Sequence, residues 1–472
     1  MRGFRSAVAL LGAALAGSCV YLNSLYNARR SFDEGERARV EGRSAEAQAA
    51  YDDAIRKASA SFRKDPSGSW ADDALYLLGR AYLGRGADAR AVDALEEAIE
   101  RSESDELRSR ARFRLGSALT RVGAFDRALP LLDSAAIDPH LDDQVGEVRL
   151  ERARLLLAQG RLGEAAFDLL RAEELDPSLT VEVEFERLEA GIVHDDPPQA
   201  VAAVDALLHE PRAEVFADSI GSLVRAAARR WGPGGAADLL APVRTGDWPQ
   251  QSRDRLLLQR IALLAEAGDT LAVESEAGWA AQGTTAGAES ARLVLARIRL
   301  RRTEEVAALD RIRVVLLPAA GNPEVARLVA DIRRVEVLDD WGRVEDPVAW
   351  FVAAEMARDR LDAPRLARGL FLRFASEAGD SPWAGKAVLA ALATTPDPRS
   401  DPALRSGLEA RTADPYVARA RARSAAGSSL GDLEARLNQI VVTLLSRADA
   451  EVQRRDLFLR GVDTLSQSPE LR

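Results

Sequence analysis

The chain has 472 residues, a formal net charge of −10 and a single cysteine. Hydrophobic residues make up 47% and charged residues 29%, a globular balance, and the 5% of aromatics beside abundant Ala, Leu, Arg and Glu favours helix over strand. The interspersed acidic charge removes the electrostatic basis for nucleic-acid binding, and one cysteine excludes an intramolecular disulfide.

At the start, Arg2 and Arg5 precede the apolar run Ala7–Ala16, which is followed by Gly17, Ser18 and Cys19. A basic start, a short apolar core and small residues read as a secretory signal peptide over 1–18. The run is too short to remain as a membrane-spanning anchor. The segment LAGSC, ending on Cys19, resembles the lipobox of bacterial lipoproteins. That resemblance implies cleavage before Cys19 and lipidation of Cys19, for example with palmitate. With Val20 rather than Asp next, it also implies an outer-membrane lipoprotein facing the periplasm. Ala16, where Leu or Val is commoner, departs from the pattern. The plainer alternative is an ordinary signal peptide with an incidental cysteine. Residues 19–28 then read as a tether.

A repeated pattern begins at residue 29. Gly42, Ala47 and Ala54 recur as Gly86, Ala91 and Ala98, then as Gly123, Ala128 and Ala135, and again as Gly160, Ala165 and Ala172. The internal spacing of five then seven residues is the same each time, and the steps between repeats are 44, 37 and 37 residues. Gly79 has counterparts at Gly35, Gly116 and Ala153, and the large residues Tyr51, Leu95, Leu132 and Leu169 sit three before the last Ala of each unit. In the clearest unit, Leu75, Leu78 and Tyr82 share one helix face, while Ala91, Leu95 and Ala98 share another. Gly86 lies between them, where a tight turn calls for positive φ. These hairpins resemble tetratricopeptide repeats (TPRs). The resemblance implies an all-α, right-handed α-solenoid with four TPR units over 29–180.

Farther on the pattern decays. Residues 181–345 read as degenerate helical repeats, with turn clusters at Trp231–Gly235 and Gly268 and one helix expected over Glu304–Leu317. Residues 346–472 read as helical hairpins, a Pro- and Ser-rich linker over Ala393–Pro402, and a long amphipathic helix over Leu430–Gly461. That helix carries Leu433, Leu437, Ile440, Val441 and Leu444, and fits a cap over the last apolar face; a partner-binding or dimerising helix is the alternative. Ser69-Trp70-Ala71 and Ser381-Pro382-Trp383-Ala384 open hairpins in a related way, with Asp414-Pro415-Tyr416 as a weaker echo. In each, the aromatic is expected to pack back on the preceding hairpin. With the lipobox, this resembles periplasmic TPR lipoproteins of the outer-membrane-assembly type.

Catalytic signals are sparse. None of His140, His194 and His209 lies three or four residues from another, and His194-Asp195-Asp196, which could touch a metal, reads as a polar turn before Pro197, so no metal site is expected; Cys19 is taken by the anchor. No P-loop is present and no Gly-x-Ser-x-Gly elbow has its strand–turn–helix setting. A lytic transglycosylase built on a helical superhelix is the enzymatic rival, but the Glu-Ser dipeptides at Glu103, Glu274 and Glu289 lack that family's second motif. The expectation is therefore no enzyme, no cofactor and no small-molecule substrate.

Projecting the TPR family's groove positions onto this register gives Arg29, Phe32 and Glu36, then Tyr76, Arg80 and Leu83, then Arg110, Phe113 and Arg121, and finally Leu150 and Arg154. An Arg-plus-aromatic groove suits an extended peptide with acidic groups. The alternative is that these arginines pair with acids of neighbouring repeats. The paired Asn of the TPR carboxylate clamp are absent. The expected role is a protein-interaction scaffold, held to the membrane by lipid and engaged in outer-membrane protein assembly. Alternatively it is a periplasmic adaptor for peptidoglycan or envelope maintenance or secretion.

Overall fold

A computed structural model describes residues 24–395, 401–422 and 428–466. Cys19 and the segment read as a signal peptide lie outside the described residues, as do 396–400 of the expected linker. Among the described residues there is no strand, and the fold is an all-α solenoid. No helix among them is long and apolar enough to cross a membrane. The chain divides into two compact units between Leu256 and Leu257, inside the stretch read as degenerate repeats.

The first unit is a succession of helical hairpins. They pair α1 (24–40) with α2 (Ser44–Lys64), α3 (Ala71–Arg85) with α4 (Asp88–Arg101), α5 (Asp105–Arg121) with α6 (Phe125–Ala135), α7 (Val145–Ala158) with α8 (Leu162–Leu175), and α9 (Thr180–Val193) with α10 (Pro197–His209). Next come α11 (Ala217–Leu239), broken at Gly232 where φ is 76°, and α12 (Gln250–Glu266), in which the division falls. The recurring glycines stand where the repeat spacing puts them: Gly42, Gly86, Gly123 and Gly160 close the first helix of successive hairpins with φ of 71°, 77°, 82° and 72°. L side chains rarely adopt that conformation, so the sequence marks each turn directly.

The second periodic signal is a packing device. A Cβ on Gly35 would lie 2.7 Å from the Tyr51 ring, one on Gly116 2.9 Å from Leu132, and one on Gly79 would collide with Leu95. Each large residue of a second helix therefore fills the space left by a glycine of the first. Tyr51, Leu95 and Leu132 are at most 1% exposed. In the fourth hairpin Ala153 takes the glycine's place opposite buried Leu169.

The tether reading is corrected in this unit. Residues 24–28, read as tether, are helical and belong to α1, because Leu25, Ala28 and Phe32 continue one apolar face, each at most 3% exposed. Trp70, expected to pack on the preceding hairpin, stands just before α3 and is 40% exposed.

The second unit holds α13 (Thr270–Ala280), α14 (Ala286–Arg302), α15 (Leu309–Leu316), α16 (Pro323–Val344), α17 (Val348–Asp359), α18 (Pro364–Glu377), α19 (Ala384–Ala393), α20 (Pro402–Glu409), α21 (Pro415–Ala422) and α22 (Ser428–Ser466). The helix expected over Glu304–Leu317 is shorter, starting with a 3₁₀ turn at Val306–Ala308 before α15. Phe351 centres the core, its ring 5.3 Å from Phe371 and 5.7 Å from Phe374 in edge-on geometry. α22 lies on α16 and α17 and buries Leu437, Leu444, Ala448 and Val452. The Trp383 indole N–H donates to the Leu433 carbonyl at 3.2 Å, which ties this tryptophan to α22. The buried seam along α22 is what a capping helix requires.

Candidate functional site

The first helices of the hairpins, α1, α3, α5 and α7, line two cavities in the first unit. The outer cavity, about 950 Å³, is bounded by Arg29, Phe32, Asp73, Tyr76, Arg80 and Arg110, with the α2–α3 turn at its edge. The inner one, about 370 Å³, is bounded by Glu36, Arg39, Leu83, Arg114, Arg121, Glu147, Leu150, Glu151, Arg154 and Glu182. Phe32 and Arg80 border both. The structure thus brings Arg29, Phe32, Glu36, Tyr76, Arg80, Leu83, Arg110, Arg121, Leu150 and Arg154 together, as the repeat register implied.

Phe113 is the exception. It is 0% exposed and borders neither cavity. Its neighbour Arg114 takes the groove position and lies over the Phe113 ring at 4.4 Å. The helical reason is simple: Arg110, Arg114 and Arg121 follow i, i+4 and i+11, whereas Phe113 turns toward α6 and the core. The sequence reading stepped by three where this helix needed four. It also missed Arg39, seven residues after Phe32, and the acids Glu147, Glu151 and Glu182.

Most of these arginines have acidic partners. Arg29 pairs with Asp73 at 2.7 Å across the first two hairpins. Arg110 pairs with Glu106 at 3.0 Å and lies 3.6 Å from Asp143. Arg154 pairs with Glu151 and Glu186, both at 2.6 Å, and Arg114 pairs with Glu147. Arg121 donates to the Leu83 carbonyl at 3.0 Å and lies 3.7 Å from Asp88. For those residues the reading of repeat-to-repeat pairing holds. Arg80 differs. Its guanidinium lies 4.2 Å from the centre of the Phe32 ring and 5.7 Å from that of Tyr76, and it has no carboxylate partner among the described residues. Stacking on an aromatic face occupies the flat of a guanidinium and leaves its N–H edge free to donate.

The support beneath Phe32 is equally specific. Tyr51 packs on it with ring centroids 5.9 Å apart and donates its hydroxyl to Glu36 at 2.6 Å. Burial first, and the bond to Glu36 second, push the Tyr51 hydroxyl upward, so it stays a donor. Burial alone would push Glu151 up as well, but Arg154, Arg121 and Arg114 outweigh it and hold the carboxyl below its ordinary 4.5. A carboxyl depressed in the folded state stabilises the fold above its unfolded pKa and loses that contribution as the pH falls through its folded value. Wild type is therefore expected to lose stability below about pH 4.5 more steeply than Glu151→Gln, measured by urea unfolding across that range. Parallel curves for the two proteins would refute the assignment.

The sequence profile of the tetratricopeptide repeat matches residues 32–106, 76–143 and 113–179. Residues 32–179 are tetratricopeptide repeats. Together with the fold, the TPR segment marks a scaffold for protein or peptide partners. Among solved structures, the crystal structure of the P58(IPK) TPR domain is 17% identical, with 75% of this chain and 99% of that chain covered at a TM-score of 0.25. No curated protein matches the chain.

Proposed function

We propose that the chain is a non-enzymatic interaction scaffold of the bacterial envelope that holds an extended, acidic segment of a partner protein along the two cavities of its TPR unit. The observation that carries this reading is Arg80, stacked on Phe32 at the junction of the cavities and without an acidic partner among the described residues. An arginine kept flat by a ring and with its N–H edge unspent is suited to a carboxylate. The neighbouring Tyr76, half-buried, offers apolar surface between charged positions, as an extended peptide requires.

The lipobox-like LAGSC segment supports attachment to the membrane through acylated Cys19. One lipid chain binds membranes reversibly, so two or more chains on Cys19 or a second contact would be needed for stable anchoring. We place the scaffold at the periplasmic face of the outer membrane, in outer-membrane protein assembly. The second compact unit favours a variant of this role, a periplasmic adaptor in envelope maintenance or secretion, because it supplies a separate body for a second partner.

Two experiments test these statements separately. Labelled palmitate should enter the wild-type protein and not Cys19→Ser; equal labelling would remove the lipid anchor. A photo-crosslinker at Tyr76 or Arg110 in living cells should trap a discrete partner, and one at buried Phe113 should not. Recovery of no outer-membrane assembly component would remove the assembly role and leave the adaptor.

A further inference from the structure

The first and fifth hairpins of the TPR-containing unit meet across the inner cavity. Arg39 on α1 lies 3.7 Å from Glu182 on α9. Beside them the turn at Gly42 rests against Val215, and a Cβ on Gly42 would lie 3.0 Å from the Val215 Cβ and 3.1 Å from its carbonyl oxygen. These hairpins are not neighbours in sequence; Val215 lies in the 3₁₀ turn Pro211–Phe216 just after the fifth, and Arg39 and Glu182 both border the inner cavity. The Arg39–Glu182 ion pair is long, with the Arg39 side chain 49% exposed, and Val215 opposite Gly42 is half-exposed. Arg39 also pairs with Glu36 at 3.3 Å. α9 has a firmer hold on its neighbour α7 through Arg154 and Glu186 at 2.6 Å.

Glu182 occupies the first turn of α9, where backbone N–H groups favour a carboxylate even without Arg39. Losing the pair therefore leaves Glu182 stabilised. Arg39, in contrast, faces a cavity bordered by Arg80, Arg114, Arg121 and Arg154 as well as by Glu36, Glu147 and Glu151, with Glu36 its nearest other acid.

We propose that Glu182 is an internal stand-in for a ligand carboxylate: an acidic side chain of the partner enters past Arg80, replaces Glu182 on Arg39, and opens the contact between α1 and α9. This rests on the acidic-peptide reading above and adds a gate to it. A ligand that binds the open form better shifts the population toward it, and by linkage a weakened gate binds the ligand more tightly.

The test uses the full chain with Cys19→Ser and spin labels on Ser44→Cys and Arg212→Cys, which flank the contact. Glu182→Gln and Arg39→Gln should each lengthen the label distance, with thermal unfolding checked to show that both fold. Glu182→Gln should also bind a Glu-rich peptide about fivefold or more tightly than wild type. Arg39→Gln should open without that gain, because it removes the receiving arginine. In the wild type the peptide should lengthen the distance; if free glutarate does so equally well, the carboxylate comes from a small dicarboxylate rather than the partner. Unchanged distances in both variants would overturn the gate. Peptide binding undiminished in Arg80→Ala would instead overturn the groove reading, with the gate still judged on its distances.

Discussion

Tyr51→Ala is expected to lower the midpoint of thermal unfolding of the TPR-containing unit by roughly 10 °C. Tyr51 is 1% exposed, packs against Phe32 and donates to Glu36. Its ring is gripped by two glycines, since a Cβ on Gly35 or on Gly84 would lie 2.7 or 2.6 Å from it. Removing a buried aromatic costs about 3–5 kcal/mol through lost burial and the cavity left behind. For a unit of this size each kcal/mol moves the midpoint by about 2–4 °C. Backbone cannot collapse into the gap, because both glycine-bearing helices are held by further hairpins. A companion variant tests the same fit with opposite logic. Gly→Ala within a helix ordinarily gains up to about 1 kcal/mol, but Gly84→Ala meets the tyrosine ring and is expected to cost about 1–3 kcal/mol. Combined with Tyr51→Ala, the Gly84 substitution should lose its penalty, a non-additivity that only direct contact produces. Scanning calorimetry of the four proteins reads this cycle. A shift under about 2 °C for Tyr51→Ala would show that the first hairpin contributes little to the unit.

Arg80→Ala is expected to weaken binding of an acidic peptide by about 10- to 100-fold, the equivalent of a charge-assisted hydrogen bond of about 1.5–3 kcal/mol. The fold should tolerate the change, because Arg80 is half-buried and bonds to no carboxylate among the described residues. Arg80→Lys keeps the charge but loses the planar fork and its stack on Phe32, so it should fall between wild type and alanine. Arg110→Ala should matter less, since Arg110 already spends its charge on Glu106. Fluorescence anisotropy with a labelled Glu-rich peptide distinguishes the three. The wild-type affinity should fall with added salt, and the Arg80→Ala affinity should depend on salt less steeply. Equal affinities for wild type and Arg80→Ala would place the acidic contact elsewhere on the unit.

Much of the fold was legible because its signals are local. Positive-φ turns need glycine, and Gly42, Gly86, Gly123 and Gly160 stand at equal offsets from the alanines that pack behind them. The recurrence of Gly35, Gly79 and Gly116 and of Tyr51, Leu95 and Leu132 was visible as spacing, but their pairing was not; Gly79 suggested a close approach to Ala91 and instead makes room for Leu95. Helical periodicity also carried most of the groove, since residues on one helix face stay together wherever that helix packs. It failed at Phe113, where a step of three instead of four moved the choice from the cavity to the core. It failed again at residues 24–28, where an apolar face too short to stand out alone proved to continue α1.

The all-α repeat architecture of the first unit, its turn positions and most helix faces depend on residues a few positions apart, so they can be read along the chain. Which arginines are already neutralised follows from how the helices pack. Arg29, Arg110 and Arg154 find acids on other turns or other helices, while Arg80 finds a ring. The same holds for the approach of α1 to α9, where Arg39 meets Glu182. Charge pairing falls off over a few ångströms and bears no fixed relation to sequence separation, so it follows from where the helices pack rather than from the spacing of residues along them.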